Sequence, residues 1–171
     1  VFELSITPNR PDAMSIVGIA RDLAAHFGLP FTAPTGASVG GGDGAVPVEV
    51  VDAEGCPRFT ARALAVTLGP SPDWMQRRLT LAGMRPISNV VDVTNYVLLE
   101  RGQPLHAFDR HRLPGGGLRI RRAAAGETIE TLDGVERTLA AADLLVCGVD
   151  DAPQAVAGIM GGAARSEEHT S

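Results

Sequence analysis

Thr94, Asn95 and His106 bring a hydroxyl, a carboxamide and an imidazole into one stretch that also carries Asp92, Tyr96 and Asp109. Imidazole is the side chain whose ordinary titration range reaches neutral pH, which makes His106 a candidate for either a catalytic or a structural role. A lone histidine more often serves structure, and the residues alone leave these roles open. A second string, Ala155-Val156-Ala157-Gly158-Ile159-Met160-Gly161-Gly162, reads as a strand running into glycines. Glycines there let a substrate approach the backbone and leave amide N–H groups for a carbonyl or oxyanion. A tight strand exit is the plain alternative. A third string, Asn9-Arg10-Pro11-Asp12, reads as a turn fixed by local side-chain hydrogen bonds, which need not touch a ligand. Phosphate-binding G-x-x-x-x-G-K, a nucleophile elbow, H-E-x-x-H and paired Cys-x-x-Cys are all missing from the sequence. The glycines at 40–42 and 115–117 read as plain loops, since neither run leads from a strand into a helix.

Helices must position the first string and strands the second. Ile16, Ile19, Ala20, Leu23 and Phe27 recur at helical spacing, with Asp12 as the expected N-cap and Gly28 as the stop. Ser71-Pro72-Asp73 opens a second helix, with Ser71 as its cap, an apolar stripe of Trp74, Met75, Leu79 and Ala82, and an end at Gly83. Residues 89–101 hold Val90, Val91, Val93 and Val97, which favour strand, but a Ser88 or Asn89 cap and a Gly102 stop favour helix. In that helix Asp92, Asn95 and Tyr96 share a face while Thr94 points elsewhere. Val46–Val51 and Phe59–Leu68 read as strands. Leu118–Arg122, Thr128–Leu132, Val135–Leu139, Leu144–Val149 and Ala155–Ile159 read the same way, and Asp133-Gly134 signals a type I′ hairpin. The fold class expected is α+β: helices first, then a mainly antiparallel sheet. No internal repeat and no span long and apolar enough for a membrane is present in the sequence.

Twenty acidic residues against fifteen basic ones give a net charge of -5, so any contact with nucleic acid must be local rather than driven by the overall field. With 44% apolar and 20% charged residues in 171, the chain has the composition of a globular domain. All its basic residues are arginines, a bias that fits GC-rich coding. Cys56 and Cys147 stand apart without a partner motif, as expected of partly buried free thiols in a reducing, cytosolic setting. The chain begins at Val1 inside a patterned stretch, which reads as a piece of a longer protein. Its last residues, Arg165–Ser171, match the in-frame translation of AGATCGGAAGAGCACACGTCT, the start of a common sequencing adapter, and are read as artefact.

Taken in order, five strings resemble one family, the β subunit of bacterial phenylalanine–tRNA ligase. They are Ile6-Thr7-Pro8-Asn9-Arg10-Pro11-Asp12, Asn89-Val90-Val91-Asp92-Val93-Thr94-Asn95-Tyr96-Val97, Gly102-Gln103-Pro104-Leu105-His106-Ala107-Phe108-Asp109, Thr131-Leu132-Asp133-Gly134-Val135-Glu136-Arg137 and Ala157-Gly158-Ile159-Met160-Gly161-Gly162. The resemblance implies that residues 45–164 are most of an editing domain, which hydrolyses tyrosine wrongly attached to the phenylalanine tRNA. It implies that residues 1–30 end a preceding small domain; residues 31–44, which the resemblance leaves unmatched, read from their Gly/Pro-rich composition as a linker with a domain boundary near Gly44. The resemblance also implies a pocket lined by Thr94, Asn95, Ala157 and Gly158, with His106 as the catalytic residue, either a base or a hydrogen-bond partner. A family pocket glutamate would lie beyond this chain, so the pocket is expected to be incomplete and the segment inactive alone. Further implications are a cytoplasmic heterotetramer with an α subunit, phenylalanine tRNA as the RNA partner, no membrane, and ATP and Mg²⁺ used elsewhere in the parent enzyme with no cofactor in this segment. The rival within the family is an assembly module with lost editing; outside it stand a free binding domain and a stand-alone hydrolase of mischarged tRNA.

Overall fold

In the computed structural model, residues 2–37 and 46–163 are described. The adapter-like segment 165–171, and residues 38–45 with the expected boundary near Gly44, lie outside them. The chain forms two compact units: Val1–Gly40 with Thr67–His106, and Gly41–Val66 with Ala107–Ser171. The first unit carries helices α1 (Ile16–Phe27), α2 (Asp73–Leu81) and α3 (Asn89–Arg101). The second carries β1 (Val48–Val50), β2 (Leu118–Arg122), β3 (Thr128–Glu130), β4 (Glu136–Thr138), β5 (Leu144–Gly148), β6 (Pro153–Val156) and β7 (Met160–Gly161). The class is α+β, as the sequence implied.

In the first unit α1 and α2 both pack on α3. Helix α1 is capped not by Asp12 but by Ser15, whose Oγ accepts from the Gly18 amide at 3.0 Å. Asp12 sits in a 3-10 turn, Pro11–Ala13, where Arg10 and Arg21 neutralise it. Gly28 closes α1 at φ 64°, as a residue without Cβ should. The expected apolar stripe is only partly covered: Ile16, Leu23 and Phe27 are exposed, and Gly18 and Ala24 are buried. Helix α2 starts one residue later than its serine suggested, with Pro72 at the cap position, because the Ser71 hydroxyl is engaged by Asp92 instead. Met75 and Leu79 carry its buried side. For α3 the end signals outweigh the β-branched run: Ser88 caps it from the Val91 amide and Gly102 ends it at φ 71°.

In the second unit five strands lie in the order β1-β2-β5-β6-β7, parallel between β1 and β2 and antiparallel elsewhere, beside a separate β3–β4 hairpin. Leu145 and Cys147 of β5 face one apolar cluster with Ile129, Leu139 and Val156. Val146 faces another with Leu118, Ile120 and Ala155. Burial on both faces accounts for the unbroken apolar run of β5. The strand expected at 59–68 does not form. Phe59 and Ala61 pack against the second cluster, yet the segment pairs with no ladder among the described residues, and Leu64, Val66 and Leu68 are exposed. The hairpin at Asp133-Gly134 is real but is not type I′, since Gly134 takes φ 73° and Asp133 keeps a negative φ. Gly134 N–H donates to Thr131 C=O (2.8 Å) and Thr131 N–H to Val135 C=O (3.0 Å), the three-residue loop with glycine at its left-handed position.

Both cysteines are free thiols; Cys56 is half-buried and Cys147 buried. Burial pushes the Cys147 thiol up to about 11. The thiolate is the nucleophile, so Cys56 should react with iodoacetamide at pH 8 while Cys147 reacts only after unfolding. Peptide mapping by mass spectrometry checks this; labelling of Cys147 in the folded protein would contradict the packing.

Candidate functional site

Three of the five predicted site residues belong to the first unit. Thr94 and Asn95 stand half-buried in the middle of α3, and exposed His106 follows the left-handed turn at Gly102. Thr94 Oγ1 donates to the Val91 carbonyl one turn back at 2.7 Å, which fixes its rotamer and leaves its lone pairs open. Among the described residues the Asn95 carboxamide makes no hydrogen bond, so both its donor and its acceptor remain available.

The two other residues on the face that Asn95 was expected to share have hydrogen-bond partners within the protein. Asp92 is 1% exposed; its Oδ2 accepts from the Ser71 hydroxyl at 2.5 Å and its Oδ1 from the Ile87 amide at 2.8 Å. This carboxylate ties the entry of α2 to the entry of α3. Tyr96 accepts a hydrogen bond from Arg78 at 2.5 Å and meets the Trp74 ring edge-on at 5.3 Å. Asn89 is likewise spent on backbone, donating to Thr67 C=O and accepting from the Gly69 amide. Sequence spacing found the face but could not say which of its polar groups were already used. Ser71, Trp74 and Arg78 were missed as partners, although Trp74 and Arg78 stand one helical turn apart, a spacing that signals contact.

Ala157 and Gly158 belong to the second unit. Instead of continuing a strand to Ile159, they form the turn between β6 and β7, closed by Ile159 N–H donating to Val156 C=O at 3.1 Å. The expectation of several free amides needs correcting: Ala157 N–H donates to Leu144 C=O at 2.8 Å and Gly162 N–H to Gln154 C=O at 2.6 Å. The Gly158 amide, exposed at the tip with φ 71°, has no acceptor among the described residues. It is the donor this turn can offer to a carbonyl or oxyanion.

The string Thr131 to Arg137 proves to be scaffold. Thr131, fully buried, donates to Asp133 and accepts from Arg137 Nε, and Arg137 closes on Asp133 at 2.6 Å. The Thr131 hydroxyl, then Arg137, hold the Asp133 carboxyl below its usual range. Arg121 grips Glu127 with two bonds of 2.8 Å, and that pairing holds Glu127 low in the same way. Among the described residues no group of three His, Cys, Asp or Glu side chains is placed to hold a metal ion, and no helix is long and apolar enough to cross a membrane.

Residues 55–171 match the family model of the B3/4 domain. Phenylalanine–tRNA ligase β subunits are similar over nearly the whole chain. That of Geobacter metallireducens is 50% identical over 95% of this chain and that of Synechocystis sp. 48% over 96%, each match covering 21% of the relative. That of Moorella thermoacetica is 49% identical over 96% of the chain. The chain therefore belongs to the B3/4 domain family, in the form carried by phenylalanine–tRNA ligase β subunits, which is the family its ordered motifs had indicated. It spans about a fifth of the length of these curated relatives.

Proposed function

We propose that residues 45–164 act as the editing domain of a phenylalanine–tRNA ligase β subunit and hydrolyse tyrosine mischarged onto the phenylalanine tRNA. The observation that carries this reading is a contrast in how the polar groups are used. Asp92, Tyr96 and Asn89 have protein partners, whereas Asn95 in the first unit and, separately, the Gly158 amide in the second have none among the described residues. Groups left open in this way are what a ligand needs.

The chemistry is consistent with so few functional groups. A synthetic site shaped for phenylalanine excludes poorly an analogue that only adds a hydroxyl, so a second site has to select for that hydroxyl. Polar groups placed for it reject phenylalanine, which would leave them unpaired at about 1 to 3 kcal/mol each. The tyrosyl ester is already activated. Water held by His106 attacks the ester carbonyl carbon, the oxygen that gains charge needs a hydrogen-bond donor, and the carbon–oxygen bond to the ribose breaks. Tyrosine and the tRNA hydroxyl leave, the latter taking the proton that the water gave up.

The parent enzyme is taken to be a cytoplasmic heterotetramer with an α subunit that charges phenylalanine using ATP and Mg²⁺. The described residues do not fit that chemistry, offering neither a carboxylate cluster for the metal nor a glycine-rich strand-to-helix loop. A second reading, an assembly module, draws support from the exposed Ile16, Leu23 and Phe27 of α1.

The test is made in the complete ligase carrying this segment, with hydrolysis of tyrosyl-tRNA and phenylalanyl-tRNA followed side by side. Tyrosine should be lost selectively, and His106→Ala should slow that loss by about a hundredfold. Equal loss of both amino acids, untouched by the substitution, or no loss from an enzyme that still charges phenylalanine, would leave the assembly reading in its place.

A further inference from the structure

Of the arginines in the described residues, Arg10, Arg21, Arg101, Arg112, Arg119, Arg121, Arg122 and Arg137 each close on a carboxylate. Arg78 does not. Its guanidinium lies 5.3 Å from the centre of the Trp74 ring and 5.9 Å from that of Tyr96, and its polar partner is the Tyr96 hydroxyl at 2.5 Å. The two rings meet edge to face, and Trp74 is half exposed. An arginine held by aromatic faces and a hydroxyl keeps its charge, and Arg78 is exposed with N–H donors beyond the one that Tyr96 takes.

The segment that carries Trp74 and Arg78 is locally basic. From Asp73 to Ile87 the sequence holds Arg77, Arg78 and Arg85 against the single carboxylate of Asp73, in a chain whose net charge is -5. Among the described residues none of these three arginines makes an ion pair. A local positive surface with a preset arginine and an exposed indole suits a ligand that has both a negative backbone and flat rings. Single-stranded nucleic acid has that chemistry: bases stack on aromatic and guanidinium planes whatever their sequence, and phosphates meet the charge. An acidic peptide would use the charge but not the rings.

We propose that Trp74, Arg78 and Tyr96 form a stacking platform that holds a nucleotide of the unpaired 3′ end of the tRNA. This rests on the reading of the substrate as an aminoacyl-tRNA, and it adds a binding role for three residues outside the expected pocket set. They position the RNA and take no part in the bond-breaking step.

The experiment uses the complete ligase with Arg78→Ala, Arg78→Lys and Tyr96→Phe, and two uncharged probes: phenylalanine tRNA with its intact 3′ end, and the same tRNA lacking the unpaired 3′ nucleotides. A competing tRNA fragment bearing the unpaired end reads this contact apart from the rest of the tRNA interface. Arg78→Ala should weaken binding of the fragment and of intact tRNA by about tenfold while leaving the truncated tRNA unchanged. Arg78→Lys, which keeps the charge without the plane, should recover only part of the loss. Tyr96→Phe, which keeps the ring and removes the hydroxyl that orients the guanidinium, should give a smaller loss of the same pattern. In tyrosyl-tRNA hydrolysis Arg78→Ala should raise KM with kcat preserved. Equal weakening of intact and truncated tRNA, or none, overturns the platform. Because the binding arm needs no hydrolysis, an enzyme that fails to edit tyrosine would sink the editing reading while still deciding this one.

Discussion

Asp92→Ala is expected to lower the stability of the first unit by about 3 kcal/mol. The side chain is 1% exposed and accepts from the Ser71 hydroxyl and the Ile87 amide. Its removal leaves the Ser71 hydroxyl and the Ile87 amide without their acceptor, and a buried orphan of this kind costs about 1 to 3 kcal/mol. Asp92→Asn separates this satisfaction of donors from simple volume. The amide oxygen can keep the Ile87 bond, and its NH₂ can donate to the Ser71 oxygen, so the loss should fall to about 1 kcal/mol. Trp74 is the sole tryptophan and lies in the same unit, so its fluorescence during urea unfolding reports the relevant transition. Unfolding free energies for both variants within about 0.5 kcal/mol of the parent would show that Asp92 is not a structural tie.

How much of this was readable from residue types alone differs between the two units. Where the decisive signal is local, it was readable. Ser88 and Gly102 bracket α3 and overrule four valines, because a capped three-turn helix with a buried side gains more than β-branched rotamers lose. Gly28 marks the end of α1 for the same local reason. Where the decisive partner is distant in sequence, the reading failed. Ser71 looks like an N-cap until Asp92, a full helix away, claims its hydroxyl. Residues 59–68 are rich in β-branched and apolar types, as a strand should be, but a strand needs a neighbour, and no ladder among the described residues takes them up. The site divides in the same way. The spacing of Asp92, Asn95 and Tyr96 put them on one helix face, yet only the partners of Asp92 and Tyr96 reveal that Asn95 alone of the three is open. In the glycine-rich string, residue types promised free amides, and the ladder with β5 and β7 consumed most of them.

Gly162→Ala is expected to open the second unit at one seam, for a reason that owes nothing to left-handed backbone. A Cβ at this buried position would lie 2.7 Å from the Gln154 carbonyl oxygen and 3.2 Å from Ile129 Cδ1. The methyl group of Ile129 can turn aside; the Gln154 carbonyl cannot, because it accepts the Gly162 amide at 2.6 Å. Relief therefore requires separating the backbone at Gly162 from β6, at about 2 kcal/mol. The consequence spreads along a defined path. Leu132 N–H donates to Gly161 C=O, Ala163 N–H donates to Glu130 C=O, and Thr131 bridges Gly162, so these contacts stitch the β3–β4 hairpin to the larger sheet. Hydrogen exchange should then show Leu132 and Ala163 losing protection while the amides shared by β2 and β5 keep theirs. Gly158→Ala provides the contrast. Nothing lies within 4 Å of a Cβ there, so its cost is confined to the φ of 71°, about 1 kcal/mol, with the seam intact. Uniform loss of protection across β2 and β5 in Gly162→Ala would show that the unit fails as a whole. Loss confined to the seam would identify Gly162 as the residue that holds the β6–β7 turn, and with it Ala157 and Gly158, against the sheet.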